Sequence, residues 1–423
     1  MRSIEDVAAR KLCTGCGVCA YMAPESYRMV DVLAEGRRPL PIRPVGGPSD
    51  RGPSDRGPGP EAPGRAPREA DALRACPGVG LTAVADDRPQ LDGWGPVLGM
   101  WEGYAAPASL RYAASSGGAA TALAGFCLEH RGFGGVLHTG ARADVPYLNE
   151  VKFSRTPTEL LEHVGSRYAP ASPAEGLGLV EEADAPSVFI GKPCDVAASH
   201  KARALRPGLD AKLGLTIAIF CAGTPSTRGT LELIKALGSD PEQLKSLHYR
   251  GEGWPGEARA EPGERQLSYD ASWGGILEKH RQWRCYLCAD HTGEFADVSV
   301  GDPWHRPTAG DPGRSLIVAR TARGVEMVLA AIEAGVLVAT PVPNSTLPAS
   351  QAGLLKVRGA VWGRTVALRL SGLPAPRYRG LPMFGIWLRK LTVKDKLRST
   401  VGTVRRIGRR GLRERSVVEE YRP

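Results

Sequence analysis

Ser187-Val-Phe-Ile-Gly-Lys-Pro-Cys194 is the stretch that decides the fold. A short apolar run ends in Gly191-Lys192-Pro193-Cys194, and Asp195 can cap a following helix. The pattern returns at Leu213-Gly-Leu-Thr-Ile-Ala-Ile-Phe220, closed by Cys221, after which Pro225 and Ser226 open a helix to about Leu237. Apolar runs bounded by turns and alternating with helices predict a parallel sheet and an α/β fold. Both strands carry a cysteine at the carboxyl end, where open α/β sheets place their ligands. Cys285-Tyr-Leu-Cys288 supplies two more thiols, so Cys194, Cys221, Cys285 and Cys288 make one candidate four-sulfur site.

A second set lies upstream, in Cys13-Thr-Gly-Cys16-Gly-Val-Cys19. C-x2-C-x2-C in a tight glycine-containing loop can turn three sulfurs onto three irons of a cube. In bacterial ferredoxins the run continues to a fourth Cys followed by Pro, which ligates the other cluster. Here Ala23 stands at that position, with Pro24 after it, and the chain offers Cys76-Pro77 instead. Cys13, Cys16, Cys19 and Cys76 are read as one [4Fe–4S] site. Zinc held by four thiolates is the alternative for both sets, and unligated core cysteines are a third reading of the first. The tally favours clusters. Nine cysteines divide into two sets of four, with Cys127 left over inside a helix as an apolar residue.

Between the sets, Ser115-Ser116-Gly117-Gly118 opens an Ala/Leu-rich helical run to about His130. Such a start leaves backbone N–H groups free for an anion such as a phosphate; an ordinary helix cap is the alternative. Gly134 to His138 and Val151 to Ser154 read as strands, and Pro157 to Val164 as a helix with Ser166-Arg167-Tyr168 just after it. Neither G-x-G-x-x-G after a strand nor G-x-x-x-x-G-K-[ST] is present, so no Rossmann site or P-loop is supported. His280 and His291 flank the Cys285/Cys288 pair and read as surface or hydrogen-bonded histidines before cluster partners. Trp254, Trp273, Trp283 and Trp304 read as core and not as a stacking platform.

At 423 residues the chain is long enough for two or three domains, with 42% hydrophobic residues and a formal net charge of +10. Residues 389–415 hold eleven Lys/Arg against two acids, so the basicity belongs to a tail. Over 385–415 Trp387, Leu388, Leu391, Leu397, Val401, Val404 and Ile407 recur at roughly helical spacing. A basic amphipathic helix of this kind reads as one for an anionic membrane surface or a partner; a solvated tail or a helix packed on its own domain is the alternative. No nucleic-acid module is recognised. Residues 36–70 hold nine Pro and seven Gly, with Gly-Pro-Ser-Asp-Arg repeated at 47–51 and 52–56, and are expected to be disordered. No signal peptide and no membrane span are expected. Clustered thiolates point to a reducing compartment, so the expected location is cytoplasmic, peripheral to the inner face of the membrane if the tail binds there.

The chain resembles the beta-subunit family of coenzyme F420 hydrogenases and dehydrogenases, which also includes hydroxymethyl-chlorophyll a reductase. The resemblance runs from about residue 10 to 305. It is carried by Cys13–Cys19 with Cys76-Pro77, Ser115–Gly118, Gly165–Tyr168, Gly191–Cys194, Phe220-Cys221, Tyr249–Gly256 and Arg284–Trp304. It implies FAD and a [4Fe–4S] cluster near the flavin, with a second, ferredoxin-like cluster in two-cluster members. By position it would place Ser115, Ser116, Gly117, Gly118, Arg167, Tyr168 and Lys192 around the flavin. The family pattern has Lys more often at 167 and Thr more often at 192, which leaves the substrate open. The expected organisation is a ferredoxin-like iron–sulfur domain (1–95, with the insert 36–70), two parts of a flavin-binding α/β core (96–180 and 181–349) and a basic helical tail (350–423). The expected function is an oxidoreductase passing single electrons through [4Fe–4S] clusters and a hydride at FAD. A ferredoxin or another redox protein would be its partner, and F420 or another small organic molecule its substrate. The alternative is a non-catalytic electron-transfer subunit of a larger complex, and no catalytic acid can be named.

Overall fold

The computed structural model describes residues 1–42, 65–84, 87–308 and 310–423. Its centre is an eight-stranded mixed sheet. The strands are β1 (Gly99–Ala105), β2 (Gly135–Ala141), β3 (Asn149–Ser154), β4 (Ser187–Gly191), β5 (Leu213–Ile219), β6 (Val298–Gly301), β7 (Ser315–Ala319) and β8 (Leu337–Pro341). Their order is β8-β1-β7-β6-β5-β4-β2-β3. The expected parallel pairing holds for β2, β4, β5 and β6. The outer strands correct it to a mixed sheet, because β3, β7, β1 and β8 all pair antiparallel. Among the described residues the β6–β7 connection contains no helix, so nothing there can serve as a parallel crossover.

The apolar runs of β4 and β5 are explained by burial on both faces. Val188, Leu215 and Ile217 pack on one side with Leu123, Phe126 and Cys127 of the helix Ala119–His130. Phe189 and Ala218 face the other side with Val196, Ala197 and Ala202 of the helix Pro193–Arg203. Cys127 is fully buried in the first layer, as its helical position predicted.

The second layer continues into the N-terminal segment, since Ile4, Val7, Val18, Met22 and Tyr27 belong to the same apolar cluster. That segment contains the helix Ile4–Ala9, the cysteine loop, the helix Val18–Met22 and an antiparallel hairpin of Tyr27–Val32 with Gly36–Pro41. The helix Arg65–Ala75 then leads into Cys76. Residues 36–70 are therefore ordered at both ends, against expectation. Pro39 and Pro41 are accommodated on a two-stranded ribbon, where an edge position needs no N–H from proline. The direct repeat at 47–56 lies outside the described residues.

The segment 350–423 is folded and not a loose tail. Its 19-residue helix Ala352–Leu370 carries the helices Met383–Lys390, Val393–Ser399 and Val401–Arg409. Beyond them the chain returns to the N-terminal segment, where Ser416 N–H donates to Ala9 O (2.9 Å) and Tyr421 N–H to Asp31 O (2.7 Å). Gly402 and Gly408 sit inside the last helix despite their cost, because Thr403 and Ile407 are buried beside them.

Arg320, at the end of β7, is fully buried. Its guanidinium donates to Ser299 Oγ, the carbonyls of Trp94, Pro96 and Thr292, and Thr292 Oγ1. Arg320→Met would leave three buried carbonyls without this donor and is expected to destabilise the fold by about 3 kcal/mol. Thermal unfolding checks this: a Tm within a degree or so of the parent would refute it.

Candidate redox site

A cavity of about 330 Å³ opens over the carboxyl ends of β4, β5 and β6. The turn before the helix Ala119–His130 forms one wall. Gly117 and Gly118 have φ of +70° and +74°, so the chain reverses there without β-carbon strain and aims the helix start at the cavity. No side chain caps that start, and Ala119, Ala120 and Thr121 line the cavity with their orphan N–H groups available. Ser115 Oγ accepts from Ser166 N–H (2.7 Å), fastening the turn to the Ser166–Tyr168 loop.

Of the residues that the resemblance would place around a flavin, Ser115, Ser116, Gly118, Arg167, Tyr168 and Lys192 line this cavity. Gly117 is not among the lining residues. It is pressed against Arg314, whose Cα would lie 2.6 Å from a Cβ at Gly117. Neither Arg167 nor Lys192 is free to meet a phosphate. Arg167 spends its guanidinium on Asn149 Oδ1 (2.8 Å) and on the carbonyls of Leu247, Pro146 and Leu148. Lys192 Nζ is 2.6 Å from Asp195 Oδ2, and the same oxygen accepts the Lys192 N–H at 2.9 Å. Burial works against the Lys192 charge, but Asp195 and then the Cys194 thiol hold its pKa above the usual lysine range.

The cavity has partners that sequence reasoning missed. Arg250 forms a bidentate pair with Asp302 (2.8 and 2.9 Å), and Trp254 Nε1 donates to the same carboxylate at 2.7 Å. Burial opposes the Arg250 charge, yet Asp302 raises its pKa above the usual value. Tyr269 stacks on Trp304 (5.3 Å) under that guanidinium, and Trp273 sits 5.0 Å from Tyr168. Trp273 and Trp304 thus line the cavity, while Trp254 and Trp283 are core as expected. The signal was present: Arg250 and Asp302 both fall in motifs that carried the resemblance.

His138 and His163 face the same cavity, 5.5 Å apart. His138 donates from Nδ1 to Thr139 O (3.3 Å), leaving Nε2 to accept from Ser154 Oγ (2.8 Å). Burial depresses its pKa to about 4. An unfolded histidine titrates near about 6.5, so between these values the unfolded chain binds more protons and stability falls as pH falls. His138's contribution is complete above about pH 6.5 and is lost on approaching about pH 4. Moving from pH 7 to 5 should therefore cost about 2 kcal/mol through this residue. His138→Gln is expected to lose correspondingly less stability over that interval. Urea unfolding at both pH values checks it, and equal losses in parent and variant would refute the assignment.

Cys194, Cys221, Cys285 and Cys288 line a second, small cavity. Cys221, Gly223 and Thr224 line both cavities, so this thiol set shares a wall with the larger space. Thr224 N–H donates to Cys285 Sγ at 3.3 Å. Burial pushes the Cys221 and Cys288 thiols up to about 12. His280 is a surface partner of Glu232 (2.8 Å). His291 is buried: Nδ1 donates to Cys221 O (2.8 Å), while Nε2 has no protein partner and lines the thiol cavity.

Cys13, Cys16, Cys19 and Cys76 are all buried. The Cys19 thiol is pushed up by burial and then by Cys13, Cys16 and Cys76, so the four sulfurs feel one another. Their loop docks on the core through Ser172 Oγ to Gly15 O (2.7 Å) and Ala174 N–H to Cys16 O (2.9 Å). Thr14, inside this loop, lines the cavity of the other set, so the two sets adjoin. Among the described residues, no three His, Cys, Asp or Glu side chains converge to hold a single metal ion.

The fold and site define an α/β protein with a large interior cavity and two adjoining sets of four thiols. Residues 100–177 match the family described as coenzyme F420 hydrogenase/dehydrogenase, beta subunit N-term, and residues 186–345 match the companion family for the C terminus of that beta subunit. The coenzyme F420 hydrogenase subunit beta of Methanococcus voltae is 26% identical over 199 residues, 44% of this chain and 64% of the relative, just under two thirds of its length. A chain in a solved structure of the F420-reducing [NiFe] hydrogenase complex from Methanosarcina barkeri superposes with a TM-score of 0.53 at 20% identity, over 68% of this chain and 98% of that one. That likeness bears on the fold. The chain belongs to the coenzyme F420 hydrogenase/dehydrogenase beta-subunit family.

Proposed function

We propose that the protein is an iron–sulfur flavoprotein oxidoreductase that joins one-electron transfer to two-electron chemistry on F420 or another small organic molecule. The observation that carries this reading is the shared wall, in which Cys221 borders both the four-thiol cavity and the large cavity. Cys194, Cys221, Cys285 and Cys288 would hold one [4Fe–4S] cluster, Cys13, Cys16, Cys19 and Cys76 the other, and the large cavity FAD. When bound, such clusters pass single electrons and FAD exchanges a hydride.

The donor sets fit these groups. Cys194, Cys221, Cys285 and Cys288 all line one small cavity, which supports a cluster held among four thiolates. The uncapped helix start supplies N–H donors for phosphate oxygens. Arg167, bonded to Asn149 and three carbonyls, and Lys192, paired with Asp195, shape the cavity as structural cations. Tyr168, Tyr269, Trp273 and Trp304 offer flat surfaces that keep water from a planar ring system.

Anaerobic purification with iron, sulfide and flavin analysis tests the reading. About eight iron, eight sulfide and one FAD per chain are expected, with turnover by the isolated chain in a screen of reduced F420, NAD(P)H and ferredoxin. Stoichiometric zinc without iron would overturn it. A second reading follows from the solved relative being one chain of a complex: a beta subunit whose flavin serves a partner enzyme. Full cofactor content, no turnover alone and co-purification of a large partner would favour that reading.

A further inference from the structure

The helices at 383–409 carry apolar side chains on two faces. Met383, Ile386, Leu391 and Ile407 are buried toward the helix Ala352–Leu370. Phe384, Leu388, Val393, Leu397, Val401 and Val404 are each 50–73% exposed. These are six of the sixteen large apolar side chains left exposed among the described residues, gathered within 21 consecutive positions. Within each helix the spacing is about one turn: Phe384 with Leu388, Val393 with Leu397, and Val401 with Val404, on three successive helices. Arg389, Lys390, Lys394, Arg398 and Arg405 are exposed among them. Asp395 is the one acid in 383–413, and it accepts at 2.8 Å from Thr392 Oγ1 at a helix start. Trp387, expected as part of the binding face, packs inward instead, with Nε1 on Ser399 Oγ (3.0 Å) and its ring 4.5 Å from Trp362.

We infer that this face docks the protein on an anionic lipid surface. An outward apolar row on short helices, surrounded by Lys and Arg and almost without acids, matches what a bilayer interface accepts. The apolar side chains enter the acyl boundary, and the long cationic stems lie along it with their heads at the phosphates. A protein partner would need a shaped counter-surface, whereas lipid fills an irregular row without one. The charge favours anionic headgroups, each nearby cation adding to the attraction within a Debye length.

The test is flotation of the purified full chain with vesicles of phosphatidylglycerol and phosphatidylcholine in equal parts, against phosphatidylcholine alone. Truncation is unsuitable because residues 410–421 also hold the N-terminal segment. Binding to the anionic vesicles is expected to exceed neutral binding by at least about tenfold, and to drop by a similar factor at high salt. Leu397→Ser with Val404→Ser should abolish it, as should Lys394→Glu with Arg398→Glu. All four positions are exposed, so circular dichroism should show parent-like folding. Equal binding to both vesicle types, unchanged binding in both double variants, or no flotation at all overturns the proposal. So does retention on an acidic protein partner through this face without any binding to lipid. The readout needs no cofactor and does not depend on the redox reading.

Discussion

Cys285→Ser is expected to remove about four of eight iron and four of eight sulfide per chain, while Cys127→Ser removes none. The contrast follows from where the structure puts the two thiols. Cys285 borders the four-thiol cavity and receives the Thr224 N–H, a bond to sulfur of the kind that tunes a cluster ligand. Cys127 is fully buried in the apolar layer between the sheet and its helix. Serine at 127 puts a hydroxyl into that layer and costs stability, about 1–3 kcal/mol, without touching either thiol set. Because Cys285 lines the thiol cavity and not the large one, the Cys285 variant should retain FAD but lose its reduction by a one-electron donor. Parent-like iron in Cys285→Ser, or iron loss in Cys127→Ser, would break the assignment of ligands.

Gly118→Asp is expected to strip the flavin, and Gly118→Asn to retain most of it. Both residues tolerate the left-handed φ of +74° at a cost of about 1 kcal/mol. Both also meet the same neighbours, Ala105 Cβ and Leu110 Cγ at 3.2 Å. Shape and strain are therefore matched, and the difference is charge. A carboxylate at the mouth of an uncapped helix takes the N–H donors that a phosphate would use and repels it. Flavin fluorescence released on denaturation measures occupancy. Equal occupancy in the two variants would remove the helix start from the binding site.

How much of this was legible depends on how local each feature is. The runs at Ser187 and Leu213 were readable because a strand buried on both faces must be apolar throughout, and each is bounded by turns. The two thiol sets were readable because spacing and count constrain cysteines strongly. Arg250 and Asp302 each fell in a motif that carried the resemblance, but their pairing was not readable, since 52 residues separate them. The bonds that occupy Arg167 were not readable either, because Asn149 and the carbonyls of Pro146, Leu148 and Leu247 lie 18 to 80 residues away, whereas the Asp195 that holds Lys192 is three residues on. The order at 36–42 was hidden by proline content, which lowers helix and strand propensity without forbidding a two-stranded ribbon. Basic residues hid the folding of 350–423, because their burial relies on distant acceptors such as Glu294 for Arg358 and Tyr286 O for Arg364.

Arg284 lies where the two thiol sets adjoin, buried, with one nitrogen on Leu287 O (2.9 Å) and another on Pro77 O (3.0 Å). It thereby ties the Cys76-Pro77 turn to the Cys285–Cys288 loop as parts of one solid. Electrons exchanged between centres held in those loops would cross a fixed gap, without waiting for one domain to diffuse against another. Solvent viscosity would then slow only the encounter with an outside donor and leave the internal step untouched.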